Sequence, residues 1–338
     1  MLCNGTHRVD FTKVQLGWLY ITIASLLLIP YVPCLVAIFR PPLIQKSCFK
    51  IMFAMGVLDI VNLIFSAYIP AFYSICDARS CSHNSELKVT GAIAIGCWAA
   101  YCAMCVSLAI NRMANLFSHS LSASMFGGGR VFVWIFGSYL WGATYVFLFL
   151  SPIATVTYDS TLGFYVFNSH EHSAQRSLNL HSLNNLISAC LLILCYSTIV
   201  VLLKRGRELR AAVNKMSTTS RRERLVLLQS FLICVVTGTT AIGYTIMPRI
   251  TSCVLLFQLM NILWISAHGT NSIIYLTLNR TIRNRVIAMI CRRSFDSAPS
   301  NTANNPVKSV NSRSQLYELV PSTAPRRSNS IVSTNSSL

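Results

Sequence analysis

One acidic residue, Asp59, stands deep inside a long apolar stretch of the sequence, between Leu58 and Ile60. If that stretch crosses a bilayer, the ionisable side chain costs at least about 2.5–3.5 kcal/mol on insertion scales. Such a carboxyl group can bind a cation or water, or it can be a protonated, hydrogen-bonded structural acid. Because Asn62 lies one helical turn away on the same face, we predict a polar cluster that rearranges between two states of a helix bundle.

A second ionisable residue, Arg112, ends the apolar stretch 90–112 and directly follows Asn111. An arginine at the mouth of a spanning helix can snorkel to the lipid headgroups and act only as an anchor. It can also face the inside of a bundle and exchange partners when the bundle moves. Tyr196 lies eight residues before Lys204, so its hydroxyl could meet Arg112 if the helices close up.

Three polar residues recur at helical spacing near the end of the last apolar stretch. His268, Asn271 and Tyr275 are three and four residues apart, which places them on one face of a helix. A polar stripe on an apolar helix faces protein or water, not lipid. His268 fits a buried, hydrogen-bonded histidine, whereas Asn271 and Tyr275 are candidates for a conformational switch.

The elements that must position these residues are seven apolar stretches. The chain is 53% hydrophobic and 11% charged, whereas soluble domains carry about 25% charged residues. Each stretch is long enough to span a bilayer with some tilt. We therefore predict an all-α membrane protein whose residues 17–278 form a seven-transmembrane helix bundle. The stretches are 17–39, 49–73, 90–112, 131–155, 180–203, 225–247 and 253–278.

The orientation follows from the basic residues. If the N-terminus is outside the cell, most of the 28 lysines and arginines fall in cytoplasmic loops and the tail. The positive-inside rule therefore predicts an extracellular segment 1–16, and the sequon at Asn4 would lie on the glycosylated side. The net charge of +18 reflects this topology and membrane-lipid contact, so a nucleic-acid partner is not predicted.

The C-terminal part divides into two segments. Residues 279–293 form a predicted amphipathic helix along the inner leaflet, with apolar residues at helical spacing and arginines between them. Cys291 at its end is a candidate for palmitoylation. Residues 294–338 are rich in Ser, Thr, Asn and Pro, and we predict a disordered cytoplasmic tail.

The outer halves of the predicted spans carry a neutral set of aromatic and amide residues. Such a set suits a small, uncharged or weakly polar ligand, although each aromatic ring could equally serve helix packing. No acid lines the outer third of the third span, which disfavours a cationic amine. The predicted ligand-binding residues are Trp98, Asn184, Asn185, Tyr244, Asn261 and Trp264.

Seven spans, a buried acid in the second and an arginine closing the third resemble a G-protein-coupled receptor over residues 1–290. Asp59 resembles the sodium-site acid of rhodopsin-like receptors, and Arg112 the arginine of their Asp-Arg-Tyr motif. Tyr196 matches their fifth-helix tyrosine. The segment Asn271-Ser272-Ile273-Ile274-Tyr275 is similar to Asn-Pro-x-x-Tyr without the proline.

The sequence is still more similar to the nematode serpentine chemoreceptors of class T. This resemblance implies a chemosensory receptor, not an enzyme, in the plasma membrane of a sensory neuron. It implies a small-molecule ligand, a heterotrimeric G protein and no cofactor. The similar blocks are Tyr31-Val32-Pro33-Cys34-Leu35, Ser47-Cys48-Phe49-Lys50-Ile51-Met52, Leu108-Ala109-Ile110-Asn111-Arg112, and Trp264 with His268-Gly269 and Ile273-Ile274-Tyr275-Leu276.

The sequence departs from rhodopsin-like receptors at two places. Asn111 replaces an acid, so it cannot hold Arg112 by a charge pair. The resting contact of Arg112 must therefore be weaker or be supplied elsewhere, and Glu223 at the foot of the sixth span is the candidate. Residues 156–179 hold no cysteine, so the usual bridge from the third helix to that loop is absent. The pairing among the remaining outer cysteines is open at this point; they are Cys3, Cys76, Cys81 and Cys253.

Two other function classes are less compatible with the sequence. A transporter or channel with a midplane polar site at Asp59 predicts repeated halves, but the chain has no internal repeat. A membrane hydrolase needs metal ligands at one depth, but the histidines are scattered, so no metal site is predicted.

Overall fold

The computed structural model describes residues 12–76, 80–167, 171–212, 221–250 and 253–296, and these residues are mostly helical. The helices are α1 (Lys13–Phe39), α2 (Ser47–Leu63), α3 (Ile69–Ile75), α4 (Ser80–Phe117), α5 (His119–Phe126), α6 (Val131–Leu150), α7 (Glu171–Ala212), α8 (Arg221–Ile250), α9 (Val254–Leu278) and α10 (Arg280–Asp296). Two short strands, β1 (Thr157–Asp159) and β2 (Phe164–Val166), form an antiparallel hairpin between α6 and α7.

Six helical segments within these ranges are long and apolar enough to cross a membrane. The segment Ser47–Ile75 counts as one of them because a π-helical turn, Ile64–Tyr68, joins α2 to α3. The seventh predicted span is α9, which has 25 residues and therefore the length of a crossing. Its polar stripe lowers its hydropathy below that of the other six. Helix α1 runs without interruption through Pro30 and Pro33.

The π-helical turn has a specific cause and a specific partner. Pro70, at the start of α3, has no N–H, so it leaves a carbonyl in the preceding turn without its helical hydrogen bond. A π-helical turn would pair the Phe65 carbonyl with residue 70. The Tyr165 hydroxyl, from β2, donates to the Phe65 oxygen at 2.5 Å instead. The hairpin therefore completes the second span.

The hairpin closes one end of the bundle, which we call the hairpin end. The turn between its strands depends on Asp159, whose Oδ1 accepts from the amides of Thr161 and Leu162, and on Gly163 at φ +78°. The carbonyl of Gly163 accepts from Tyr20 on α1 at 2.7 Å. The sequence predicts only a loop here, because strands of three residues carry too few positions for an alternating pattern.

Two buried tyrosines of the hairpin, Tyr158 and Tyr165, attach it to the helices. Burial raises the pKa of Tyr158 and of Tyr165, so both phenols remain protonated and able to donate. The Tyr158 hydroxyl lies 2.8 Å from the Ser74 hydroxyl on α3, and the two tyrosine rings meet at a centroid distance of 5.3 Å. The hairpin is thus a packed layer over the bundle.

Helix α10 is held at the opposite end, which we call the arginine end because Arg112 lies there. Arg285 donates to the carbonyls of Ala37, Arg40 and Pro41, which ties α10 to the end of α1. Ile282 is buried, as the predicted amphipathic pattern requires. Cys291 is an exposed free thiol. Residues 297–338 of the predicted tail lie outside the described residues.

The described cysteines narrow the disulfide question. Cys253 is disulfide-bonded, whereas Cys76 is an exposed free thiol. The pairings of Cys76 with Cys3, Cys81 or Cys253 are therefore wrong. The side chains of Cys3 and Cys81 lie outside those described.

Helices α4 and α6 approach most closely where glycines face each other. A Cβ atom added at Gly142 would lie 2.6 Å from the Gly96 carbonyl oxygen and 2.6 Å from the Ala100 Cβ. Small residues at such a crossing allow the close backbone contact that drives association of helices in lipid.

Replacing Gly142 by alanine should therefore force α4 and α6 apart. We expect the free energy of unfolding to fall by about 1–3 kcal/mol, measured by thermal unfolding of the purified protein in detergent. Gly137→Ala on the same helix is the control, because a Cβ atom there meets no atom within 4 Å. Equal melting temperatures for the two variants would contradict this account of the crossing.

Candidate functional site

The Asp59 carboxylate is fully buried and accepts hydrogen bonds from two other spans. Tyr31 of α1 donates to Oδ2, and Asn271 of α9 donates to the same oxygen at 2.8 Å. His268 of α9 contacts Oδ1 through Nδ1 at 2.7 Å. Asn271 also bonds the Tyr101 hydroxyl of α4 at 2.8 Å. These five residues, which we call the Asp59 cluster, join four helices at one depth.

The hydrogen bonds assign the tautomer of His268. The indole N–H of Trp264 can only donate, and it points at His268 Nε2 at 3.1 Å. Nε2 therefore accepts, so the proton of the neutral ring lies on Nδ1 and is donated to Asp59. Because each ring nitrogen has a partner, the simple interpretation of His268 as a satisfied buried histidine fits the geometry.

Two predicted switch residues lie beside this cluster without bonding to it. Asn62 is fully buried, yet neither its amide nitrogen nor its carbonyl oxygen has a hydrogen-bond partner. The Tyr275 hydroxyl is also buried without a partner, while its ring meets Tyr31 at a centroid distance of 6.3 Å. Buried polar atoms of this kind usually hold a water or mark a second arrangement of the side chains.

The predicted ligand-binding residues form an aromatic layer between the Asp59 cluster and the hairpin. The Trp98 indole donates to Asn185 Oδ1 at 2.8 Å, and its ring meets those of Trp264 and His268 edge-on. Tyr244 contacts Trp264 at a centroid distance of 5.9 Å. Asn184 Nδ2 lies 3.3 Å from Asn185 Oδ1. These five predicted ligand-binding residues are therefore contiguous.

The hairpin covers this layer. Tyr165 meets the Trp264 ring edge-on at 5.9 Å. Asn261 is fully buried, and neither polar atom of its carboxamide has a hydrogen-bond partner. An unsatisfied amide next to a packed aromatic layer is the kind of group that a polar ligand atom would stabilise.

Sequence reasoning missed three residues of this region. Tyr31 and Tyr101 are tyrosines in apolar helices, and no local pattern distinguishes them from packing residues. His181 Nε2 lies 3.1 Å from Asn185 Nδ2, and the imidazole ring meets the Tyr244 ring edge-on. Its spacing of four residues before Asn185 was the only available signal.

Arg112 lies half-buried at the arginine end and bridges three helices through neutral partners. Its Nε donates to the Ser230 hydroxyl of α8 at 3.1 Å, and its Nη2 contacts the Cys48 sulfur of α2. The neighbouring Asn111 donates to the Ser47 hydroxyl at 3.1 Å. We call Arg112 with Cys48 and Ser230 the arginine latch.

The sequence predicts two further residues at this end, Tyr196 and Glu223. The Tyr196 hydroxyl is buried without a hydrogen-bond partner, and its ring contacts Phe231. The side chain of Glu223 lies outside those described, as does Asn4. No group of three or more histidine, cysteine or acidic side chains in the described ranges could hold a metal ion.

Asp59 and Asn62 offer a matched pair of buried polar residues one turn apart. Asp59→Leu leaves three buried donors without an acceptor, and each costs about 1–3 kcal/mol, so we expect a loss of at least about 3 kcal/mol of stability. Asn62→Leu removes an amide that has no partner and should be neutral or stabilising. Thermal unfolding in detergent measures both, and a larger loss for Asn62→Leu would refute the hydrogen-bond assignment.

The comparisons with known proteins agree on the family and the fold. Residues 3–298 match the family described as serpentine type 7TM GPCR chemoreceptor Srt. The fold is similar to the crystal structure of squid rhodopsin, with a TM-score of 0.72 and 12% sequence identity over 86% of this chain and 88% of that chain. Comparison with curated proteins finds no match. These findings confirm a multi-pass membrane bundle of the receptor type, and the chain belongs to the serpentine 7TM GPCR chemoreceptor family Srt.

Proposed function

We propose that the protein is a G-protein-coupled chemosensory receptor, which binds a small extracellular ligand and signals to a cytoplasmic heterotrimeric G protein. The observation that carries this proposal is the arginine latch. It joins α2, α4 and α8 through hydrogen bonds to uncharged groups, so a small movement of α8 can open it. A latch of this strength suits a switch better than a permanent anchor.

In this proposal the hairpin end is outside the cell and the arginine end is in the cytoplasm. The distribution of basic residues supports this orientation, which gives an extracellular N-terminus with a glycosylation site at Asn4. The site of action is the plasma membrane of a sensory neuron. An epitope tag at the N-terminus that stains unpermeabilised cells would support it, and staining only after permeabilisation would overturn it.

The ligand in this proposal occupies the aromatic layer below the hairpin. The layer is neutral, which favours a small uncharged or weakly polar molecule. Asn261 would gain a partner for its buried carboxamide, and Trp98 and Trp264 would provide the apolar walls. The ligand can shift the bundle only as far as its affinities for the two states differ.

The signal would pass through the Asp59 cluster to the arginine end. The Trp98 ring meets the ring of His268, which bonds Asp59 through Nδ1. Asp59, Asn62, Asn271 and Tyr275 would exchange partners, and Arg112 would leave Cys48 and Ser230 for Tyr196 or the G protein. Asn111, bonded to Ser47, would be released with it. Palmitoylation of Cys291 would fix α10 to the inner leaflet.

Arg112→Ala should abolish the ligand response of cells that express the protein with a G protein, while surface expression is retained. The assay is G-protein activation against a panel of volatile and water-soluble small molecules. Arg130→Ala is the matched control, because the described bonds of the Arg130 side chain go to the carbonyls of Ala123 and Ser124 at the end of α5. A full response from Arg112→Ala would contradict the proposal, and ligand-gated ion flux would support a channel instead.

Cys48→Ala should raise the ligand-independent signal, because it removes one of the two partners that hold Arg112 in the latch. We expect an increase of about two- to ten-fold, which corresponds to the roughly 0.5–1.5 kcal/mol of one net hydrogen bond. Cys97→Ala, at a half-buried cysteine on α4, is the control. Unchanged basal activity in Cys48→Ala at equal surface expression would show that the contact does not restrain Arg112.

A further inference from the structure

An open groove of about 410 Å³ lies on the outside of the bundle between α4, α6 and α7. Several residues that line it are exposed on the outer surface of the bundle, including Val133 and Trp141. No ionisable side chain lines it. Gly137 lies in the wall, and a Cβ atom there would meet nothing within 4 Å, so the space is continuous with the bilayer. Of the residues predicted above to bind the ligand, only Asn184 lines this groove.

The groove has a polar floor at the depth of the bilayer interior. The carboxamide of Asn184 and the hydroxyl of Ser188 lie there on α7. The Trp141 indole donates to Asn184 Oδ1 at 3.0 Å. At the other end, the hydroxyls of Ser107 and Ser138 are 3.4 Å apart. The floor therefore carries one amide and three hydroxyls in an otherwise apolar groove. Asn184 is bonded to Trp141 and Asn185, and the Ser138 hydroxyl donates to the Trp134 carbonyl at 2.8 Å. An occupant would therefore bond Ser188 or take the place of Trp141 at Asn184.

The bilayer decides which occupant such a groove can select. Lipid tails are as apolar as the walls, so an apolar molecule gains no hydrophobic advantage over the tails that it displaces. A hydrogen bond is different, because the hydrocarbon offers no water to compete for the donor or acceptor. Selectivity must come from the polar floor. A charged molecule is excluded, because the groove contains no countercharge.

We propose that this groove binds an uncharged, lipophilic molecule with one hydrogen-bonding group, of the class of a medium-chain alcohol, which arrives through the bilayer. Its hydroxyl bonds Asn184 or Ser188 and its chain lies against Val133 and Gly137. The volume of about 410 Å³ is within the range of small-molecule sites. This binding needs no G protein, so it stands whether or not the proposed signalling occurs.

The groove is connected to the bundle interior by consecutive contacts. Trp141 bonds Asn184, which contacts Asn185, and Asn185 accepts from Trp98. Trp98 in turn lies against His268 of the Asp59 cluster. A molecule that takes the place of Trp141 at Asn184 would therefore alter the aromatic layer from outside the bundle, without passing the hairpin.

Photolabelling of the purified full-length protein in phosphatidylcholine nanodiscs tests the proposal. The probe is an eight-carbon alcohol that carries a diazirine, and mass spectrometry locates the label. We expect saturable labelling of the groove walls on α6 and α7. Gly137→Leu, which fills the groove without a clash at its Cβ atom, should reduce that labelling at least five-fold.

Gly238→Leu is the matched control. It makes the same change on α8, where a Cβ atom also meets nothing within 4 Å, and it should leave groove labelling unchanged. Unlabelled 1-octanol should compete, whereas octane at the same membrane concentration should not. Ser188→Ala should weaken competition by the alcohol and leave the melting temperature unchanged.

Three results would overturn the proposal. They are labelling spread evenly over all lipid-facing helices, labelling of the groove that Gly137→Leu leaves intact, and competition by octane equal to that by octanol. The assay contains no G protein, so each of these outcomes is independent of whether the protein signals.

Discussion

A carboxylate that is fully buried in an apolar bundle must be surrounded by hydrogen-bond donors. Asp59 is such a carboxylate, and its need for donors constrains how the helices pack. Tyr31, His268 and Asn271 provide them, and Tyr101 is attached through Asn271. Four helices are therefore aligned at one depth by a single side chain. Because the alternative is an unpaired charge in a medium of low dielectric constant, this alignment is strongly specified. The aromatic layer and the hairpin build on it.

The hairpin repairs a gap in the backbone hydrogen bonding of the second span, close to the hairpin end. Pro70 removes a donor from the second span, and Tyr165 returns one from outside the helix. In a membrane this substitution matters more than in water, since no solvent can satisfy the freed carbonyl. The same tyrosine covers Trp264, so the repair of the backbone and the closure of the aromatic layer are made by one residue.

The centre of the bundle and its arginine end differ in the kind of interaction that holds them. At its centre, Asp59 makes charge-assisted or strong hydrogen bonds to buried donors. At the arginine end, the described partners of Arg112 are a hydroxyl and a thiol, and the residue is only half-buried. Neutral partners hold an arginine less firmly than a carboxylate does. A stable centre with a weaker end is the distribution that a conformational switch requires.

The sequence by itself determined the number and position of the apolar spans, because each must offer about 20 apolar residues to the bilayer. It did not determine the full length of the helices, since α4 and α7 have 38 and 42 residues and extend beyond the predicted spans 90–112 and 180–203. It also identified Asp59 and Arg112, since an ionisable side chain in an apolar stretch is too costly to be incidental. Only the tertiary structure decided their partners. Tyr31, Cys48 and Ser230 lie on other helices, and their facing depends on rotations and depths that no local spacing encodes. The hairpin escaped prediction for the same reason: its short strands are defined by the bundle on which they pack.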